Sequence, residues 1–410
     1  RGADLVTEES QQLRLGSNDV EVRVRSAEQV ALERVPLMPY EIPGSDYPVQ
    51  SPHRNLVRKV QCHAGWDWGC CLMVSGIYQD VYLGAATPGR IEYVYTEQQH
   101  ESGSCAVVVY VEVEAAAAGA TELLVRLDGQ TVQRQVMLDP GHNLCKETVI
   151  VQQPRLWWPN GHGEQPLYEL SVQIAGDEVT KHLGLRRLQC IAEEDDIGLG
   201  FKFRVNGLDI FAKGANWIPC DALPRRQTRE VLDDLLSSAV DGHMNMLRVW
   251  GGGQYESEDF YDLCDEKGLM IWQDFMFSCS AYPATPAFLA SVEGEARHQV
   301  RRLRDHACIV LWCGNNEDLG ALNWFEVSRE NRDRYLVDYD RLTEGVLGRV
   351  VDECDPTRVY WPSSPCGGRG DYSDNWQDDS RGDMHYWQVW HSGKSFDAYY
   401  DVTPRFCSEF

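Results

Sequence analysis

Between residues 209 and 407 the chain repeats one arrangement: a short apolar run, an amphipathic or loop-rich crossover, then another apolar run. Strands joined by long crossovers pair in parallel, so this pattern confines the region to a parallel sheet covered by helices. Strands are expected at Asp209 to Ala212, Met244 to Trp250, Leu269 to Trp272, Cys308 to Cys313, Val359 to Trp361, Asp383 to Tyr386 and Arg405 to Cys407. Thr228 precedes Val231, Leu232, Leu235, Leu236 and Ala239 at helical spacing. Ser257 precedes Glu258 and Asp259, whose charges suit a helix N-terminus. Further helices are expected from about Pro286 to His306 and Tyr335 to Glu353. Seven strands in series suggest an eight-stranded α/β (TIM) barrel short of its last repeat.

Before residue 194 the texture differs. Val20 to Val24, Ala106 to Val113 and Leu170 to Ile174 alternate with period two, separated by turn signals such as Asp128-Gly129 and Ala175-Gly176-Asp177. Short alternating strands with turns between them predict β-sandwiches. The domain plan expected is therefore a partial sandwich over 1–88, a second sandwich over 89–193 and the barrel over 194–410.

The formal charge of −25, from 38 basic and 63 acidic residues, argues against nucleic acid, because phosphate binding needs a basic field. No apolar run approaches the roughly 20 residues of a membrane span. The 14 cysteines are too dilute for a disulfide scaffold, and none falls in a paired Cys-x-x-Cys zinc pattern. No cofactor or metal is implied.

Barrel chemistry gathers at the C-terminal strand ends. Glu317 follows the fourth apolar run in Trp312-Cys313-Gly314-Asn315-Asn316-Glu317, and Glu409 follows the seventh in Phe406-Cys407-Ser408-Glu409-Phe410. Two carboxyls at opposite strand ends are what a retaining glycosidase requires, one as acid/base and one as nucleophile. Both motifs closely resemble those of glycoside hydrolase family 2. Gly65-Trp66-Asp67-Trp68-Gly69, Lys213 to Pro219, Leu247 to Gly253 and Trp272 to Phe277 resemble its β-mannosidase branch.

The resemblance implies that Glu317 is the acid/base and Glu409 the nucleophile of a retaining exo-β-mannosidase acting on β-mannoside oligosaccharides. It makes the first sandwich sugar-binding-like and the second immunoglobulin-like. Asn316 resembles the asparagine that holds the sugar 2-hydroxyl, and Arg248 the arginine that keeps the nucleophile ionised. Tyr386 is a candidate donor to the nucleophile, ranked above His385. Trp66, Trp217 and Trp324 are candidate sugar-facing aromatics, Asp274 a candidate hydroxyl ligand, and Asp67 a carboxylate reaching over the barrel to a terminal hydroxyl. The Trp-Asp-Trp-Gly motif is followed here by Cys70-Cys71 where the family usually has Pro.

Exo-β-D-glucosaminidase is the alternative within the family, and a catalytically silent carbohydrate-binding protein the alternative outside it. The chain is expected to be an internal section of a longer polypeptide whose continuation supplies the eighth strand. A periplasmic or secreted setting is expected, with a lysosomal one also compatible; the oligomeric state is left open.

Overall fold

The computed structural model describes residues 16, 18–19, 21–44, 50–79, 81–82 and 88–410. The alternating runs of the second region become seven strands: β1 Gly89–Glu101, β2 Ser104–Ala115, β3 Gly119–Leu127, β4 Gln130–Leu138, β5 Gly141–Gln152, β6 Tyr168–Ile174 and β7 Asp177–Leu183. They form two antiparallel sheets, ordered β1-β2-β5 and β4-β3-β6-β7. Period-two alternation sends one face of each sheet into a shared core of Val107, Val109, Val111, Leu123, Val125 and Val172, all essentially inaccessible. Asp128-Gly129 and Ala175-Gly176 take left-handed φ in the two hairpin turns, as tight connections between twisted strands demand.

Next come three short antiparallel strands, β8 Leu188–Ile191, β9 Lys202–Val205 and β10 Leu208–Ile210. This corrects the expectation that Asp209 to Ala212 is the first parallel strand. Asn206 and Gly207, at φ 51° and 89°, turn β9 straight back into β10, and an Asn-Gly pair is the strongest short hairpin signal. Phe203, Val205 and Ile210 then pack beneath the parallel sheet against Met246, Met270 and Trp272.

The parallel sheet is β11 Gly214–Trp217, β12 Met246–Val249, β13 Met270–Asp274, β14 Ile309–Cys313 and β15 Val359–Trp361, in sequential order. β16 Met384–His385 and β17 Cys407–Glu409 form a separate parallel pair. Asn216 Nδ2 donates to the Ser408 carbonyl at 3.0 Å, so the two ends of the series come within hydrogen-bonding reach. Strand phase sorts the side chains. Met246, Met270, Trp272 and Leu311 point to one core, while Leu247, Val249, Ile271 and Trp312 point to another beneath the crossover helices. Those helices offer matching stripes: Leu232 and Leu236 of Arg229–Asp241, and Val292, Ala296, Val300 and Leu303 of Pro286–Leu303. The long helical stretch runs through Arg332–Leu342, a π-helical turn at Thr343–Gly348, and Arg349–Cys354. No helix among the described residues is long and apolar enough to cross a membrane.

The described residues between 21 and 79 contribute helix, turn and loop, not strands, to the expected first sandwich. Of the strand expected at Val20 to Val24, Val20 lies outside the described residues, and Glu21 to Val24 is exposed, irregular chain with no pairing partner. Ser26 caps the helix Ala27–Arg34 by accepting from the Gln29 amide. The segment from Arg54 to Trp66 is fastened to the loops above the parallel sheet. Cys62 N donates to the Gly252 carbonyl at 2.8 Å, Asn55 Nδ2 to Ala281 O at 2.8 Å, and Arg54 Nη2 to Ser278 O at 3.0 Å. All 14 cysteines are unpaired, Cys70 and Cys71 included.

Candidate active site

The inward phase of the parallel strands delivers the charged groups. Arg248 lies in β12, Asp274 ends β13 and Glu409 ends β17. Glu317 stands beyond β14 as the cap of Asp318–Ala321, with φ of 61°. Two neighbouring loops pin that turn: Asn316 N donates to Phe277 O at 3.0 Å and Glu317 N to Ser364 O at 2.8 Å.

Arg248 organises the centre. Its Nη1 donates to Glu409 Oε1 at 2.5 Å and to Asn216 Oδ1 at 3.1 Å. Its Nη2 donates to Asp274 Oδ2 and to Asn316 Oδ1, each at 2.8 Å. The Trp387 indole N–H reaches the other oxygen of Glu409 at 2.9 Å. Glu317 Oε1 lies 2.6 Å from His385 Nδ1, and the Cys279 thiol donates to Glu317 Oε2 at 3.4 Å. One side-chain ligand atom from each of Glu317, His385 and Glu409 falls within 4.8 Å of the others. The two carboxyls therefore approach one another within that limit through their nearest oxygens.

Electrostatics separates the two carboxyls. Burial pushes Glu317 well above the usual carboxylate range, and the neighbouring Glu409 charge adds to it. Burial also raises Glu409, but the Arg248 guanidinium and the Trp387 N–H pull it back. One proton on the pair therefore resides on Glu317, leaving Glu409 as the anion. Burial, reinforced by Arg248, holds His385 well below its ordinary value and so neutral. This donor set suits proton and covalent chemistry better than a divalent ion, because a guanidinium already neutralises Glu409. The second group of close ligand atoms among the described residues is Asp265, His306 and Cys308; burial keeps Cys308 a thiol, which donates to Tyr261 O.

Above the carboxyls is a cavity of about 450 Å³, lined by Glu317, Glu409, Asn316 and Asp67 together with several indoles. Trp66 and Trp68 stand edge-on to Trp250, at 4.9 and 5.7 Å between ring centres. The Trp66-Asp67-Trp68 loop thus lines the cavity beside the parallel sheet, with Asp67 exposed. Trp324, half-exposed, and Trp376 complete the rim.

Three expectations are corrected. Trp217 does not line the cavity: it follows Asn216 in β11, so its phase is outward, its ring packs on Phe260 at 4.9 Å and its N–H donates to Glu256. The inward residue is Asn216, which the motif carried unremarked. Asp274 is fully buried, and its oxygens accept from Arg248 twice, Trp272 Nε1 and Gly251 N, leaving no lone pair for a sugar hydroxyl. Gly251 makes its approach possible, since a Cβ there would sit 2.4 Å from the Phe277 carbonyl. The Tyr386 hydroxyl points away from the carboxyls and donates to Ala398 O at 2.8 Å. Its neighbours His385 and Trp387 reach the carboxyls instead, and period-two phase along the strand end is the signal that separates them.

Residues 6–79 match the family described as glycosyl hydrolase 2 galactose-binding domain-like, and residues 89–186 match glycosyl hydrolases family 2. The chain is 39% identical over 375 residues to a beta-mannosidase B of Emericella nidulans, covering 87% of this chain and 44% of that protein. A beta-mannosidase B of Neosartorya fischeri is also 39% identical, over 88% of this chain and 44% of its own length. Among solved structures, a beta-D-mannosidase from Dictyoglomus thermophilum superposes with a TM-score of 0.87 at 37% identity, covering 94% of this chain and 47% of that one. A Bacteroides uniformis beta-glucuronidase, 19% identical with a TM-score of 0.56 over 67% of this chain and 34% of its own, shares the fold alone. The chain spans about half the length of the curated relatives it matches. With the two-carboxyl centre, the Trp-Asp-Trp loop and these relatives together, the chain belongs to glycoside hydrolase family 2 and is similar to its β-mannosidases.

Proposed function

We propose that the protein is a retaining exo-β-mannosidase that removes terminal β-D-mannose by double displacement. The observation that carries the reading is the pair of buried carboxyls, Glu317 and Glu409, in close reach but held in different charge states. In the first step Glu409 attacks the anomeric carbon as Glu317 gives its proton to the departing oxygen, breaking the glycosidic bond. In the second, Glu317 takes a proton from water, and that water displaces Glu409 from the sugar. Asn316 is offered as the 2-hydroxyl ligand and Arg248 as the group that keeps Glu409 ionised. Exo action is supported by the Trp66-Asp67-Trp68 loop, which lines the same cavity as the carboxyls and packs its indoles against Trp250.

The proposal includes a (β/α)8 barrel of which 194–410 hold the first seven strands. Sequential parallel order from β11 to β15 supports it, as does the approach of β17 to β11. Between those two strands lies a cleft of about 800 Å³, lined by Phe201, Ile210, Ala212, Met246, Trp272 and Phe406 among others. An eighth strand there would pair both exposed edges and complete the core.

The test is hydrolysis of p-nitrophenyl β-mannoside by the full-length protein, with NMR of the first-formed anomer. Release of the β-anomer, with a preference for the mannoside over the glucoside, galactoside and glucosaminide, is expected. First release of the α-anomer would refute retention. Preference for the glucosaminide would move the protein to the alternative branch, and no turnover of any of them would favour carbohydrate binding alone.

A further inference from the structure

Behind Glu317 runs a file of three wholly buried groups that the two-carboxylate mechanism does not use: His385, Ser364 and Asp383. His385 Nδ1 is 2.6 Å from Glu317 Oε1, His385 Nε2 is 2.9 Å from Ser364 Oγ, and Ser364 Oγ is 2.6 Å from Asp383 Oδ2. The other partners of Asp383 decide where the protons lie. Its Oδ2 also accepts from the Ser408 hydroxyl at 2.6 Å, and its Oδ1 accepts from Trp361 Nε1 at 2.8 Å and Cys366 N at 2.9 Å.

A carboxylate met by four donors acts only as an acceptor. The Ser364 hydroxyl, 2.6 Å from Asp383 Oδ2 against 3.3 Å from Ser408 Oγ, gives its single proton to the carboxylate, and Ser364 Oγ accepts from His385. The ring then carries its proton on Nε2 and turns a bare lone pair on Nδ1 toward Glu317. A lone pair and a carboxyl oxygen 2.6 Å apart need a proton between them. With a neutral ring of this tautomer, Glu317 supplies it.

We propose that Asp383 and Ser364 lock His385 in its Nε2–H tautomer, and that His385 is a positioning residue holding the acid proton of Glu317 in place. The proposal rests on the reading of Glu317 as the acid/base. The lone pair acts in both half-reactions. It stabilises the protonated carboxyl before bond cleavage, and it opposes the anion afterwards, which strengthens Glu317 as the base for the incoming water. The other groups facing this pair do not reproduce the effect. Glu409 Oε2 stands 3.4 Å from His385 Nδ1, and Arg248 bears on both sites. The Cys279 thiol touches the far oxygen of Glu317, Asp374 adds a distant negative field, and Trp376 offers only a ring edge 6.0 Å from His385.

Two changes on the full-length protein release the lock by different routes. Ser364→Ala removes the acceptor for Nε2–H. Asp383→Asn supplies an amide donor to Ser364, whose own proton then turns to His385. In both, the ring is free to carry its proton on Nδ1 and to donate to the Glu317 anion. The alkaline limb of kcat/KM for an aryl β-mannoside with a poor leaving group should move down by about one pH unit or more, a tenfold change in proton affinity. A 2,4-dinitrophenyl leaving group, which needs little protonation, should lose far less. Histidine ¹⁵N shifts of the unmutated protein, with His385 assigned by its loss in His385→Gln, should show Nε2 protonated and Nδ1 bare at neutral pH. An Nδ1–H ring in the unmutated protein, or an unmoved alkaline limb in folded variants, would overturn the proposal. Glu317→Gln is the control for the underlying reading. If the alkaline limb survives that change on the activated substrate, Glu317 is not the titrating acid and the acid/base assignment itself fails.

Discussion

Arg248 Nη1 stands 2.5 Å from Glu409 Oε1, with both side chains buried, so the charge of the candidate nucleophile is matched before any sugar arrives. The same guanidinium holds Asp274 at 2.8 Å, so one cation faces two carboxylates. Removing it by Arg248→Met leaves both without their partner, an arrangement that costs on the order of 3–5 kcal/mol. Glu409 then keeps its proton to higher pH, and the acidic limb of kcat/KM moves upward. Thermal unfolding and a pH–rate profile check the two consequences separately; an unmoved acidic limb would release Arg248 from its role.

The two glutamates should fail differently. Glu409→Ala is expected to abolish turnover, with azide attacking the sugar directly to give a glycosyl azide of inverted configuration. Glu317→Ala should retain activity on activated aryl mannosides, and azide should give the retained configuration by attacking the glycosyl-enzyme. Product stereochemistry by NMR decides, and identical products from both variants would mean the roles are misassigned.

Trp387→Phe removes the indole donor to Glu409, whereas Tyr386→Phe removes a donor to the Ala398 carbonyl. The first should lower kcat/KM by about tenfold or more, the size of a hydrogen bond of ~1.5–3 kcal/mol to a charged group. The second should lower Tm through the unsatisfied carbonyl and leave the pH profile in place. The reverse pattern would restore the sequence-based assignment of Tyr386.

That pair also shows where sequence reading stops. Glu317, Asn316, Arg248 and the Trp66-Asp67-Trp68 loop were legible because apolar runs mark strands and each group lies within or just beyond such a run or in a distinctive motif. Asp274 was legible as a strand-end carboxylate, but three of its four hydrogen bonds come from Arg248 and Gly251, outside its own strand, so burial and saturation were invisible. Trp217 and Asn216, like His385, Tyr386 and Trp387, are adjacent chemically capable residues. Choosing among them needs the strand phase, and phase is set by pairing partners far along the chain. The first parallel strand was missed for a nearer reason: the Asn206-Gly207 turn, visible in the sequence, assigns Asp209 and Ile210 to a hairpin.

Asp67→Ala tests the loop that crosses between domains. An exposed loop carboxylate contributes little packing, so Tm should stay within about a degree. A lost charged hydrogen bond of ~1.5–3 kcal/mol corresponds to roughly ten- to a hundredfold in kcat/KM. A loss below about threefold, less than ~1 kcal/mol, would return Asp67 to a structural part.

His306 gives a prediction independent of catalysis. Burial alone would lower it, but Asp265, 2.8 Å from Nδ1, and Glu258, 3.4 Å from Nε2, carry it up to about 9. Because the folded value lies above the unfolded one near 6.5, the added stability is complete below about pH 6.5 and is lost as pH rises through about 9. At ~1.4 kcal/mol for each pH unit, it amounts to something on the order of 3 kcal/mol. The Tm gap between the wild type and His306→Gln should therefore narrow from pH 6 to pH 10; a constant gap would argue against a titrating ion pair.

Glu317 occupies left-handed backbone, at φ of 61°, where glycine sits without strain and other residues pay of the order of 1–2 kcal/mol. Folding alone would choose glycine there, and burial of a carboxyl adds a second reason to exclude glutamate. The position is thus one that drift, left to stability, would erase. A descendant freed from catalytic selection should lose this residue early and become sturdier for it, so a glutamate at this turn in a relative is a sign that the chemistry is still in use.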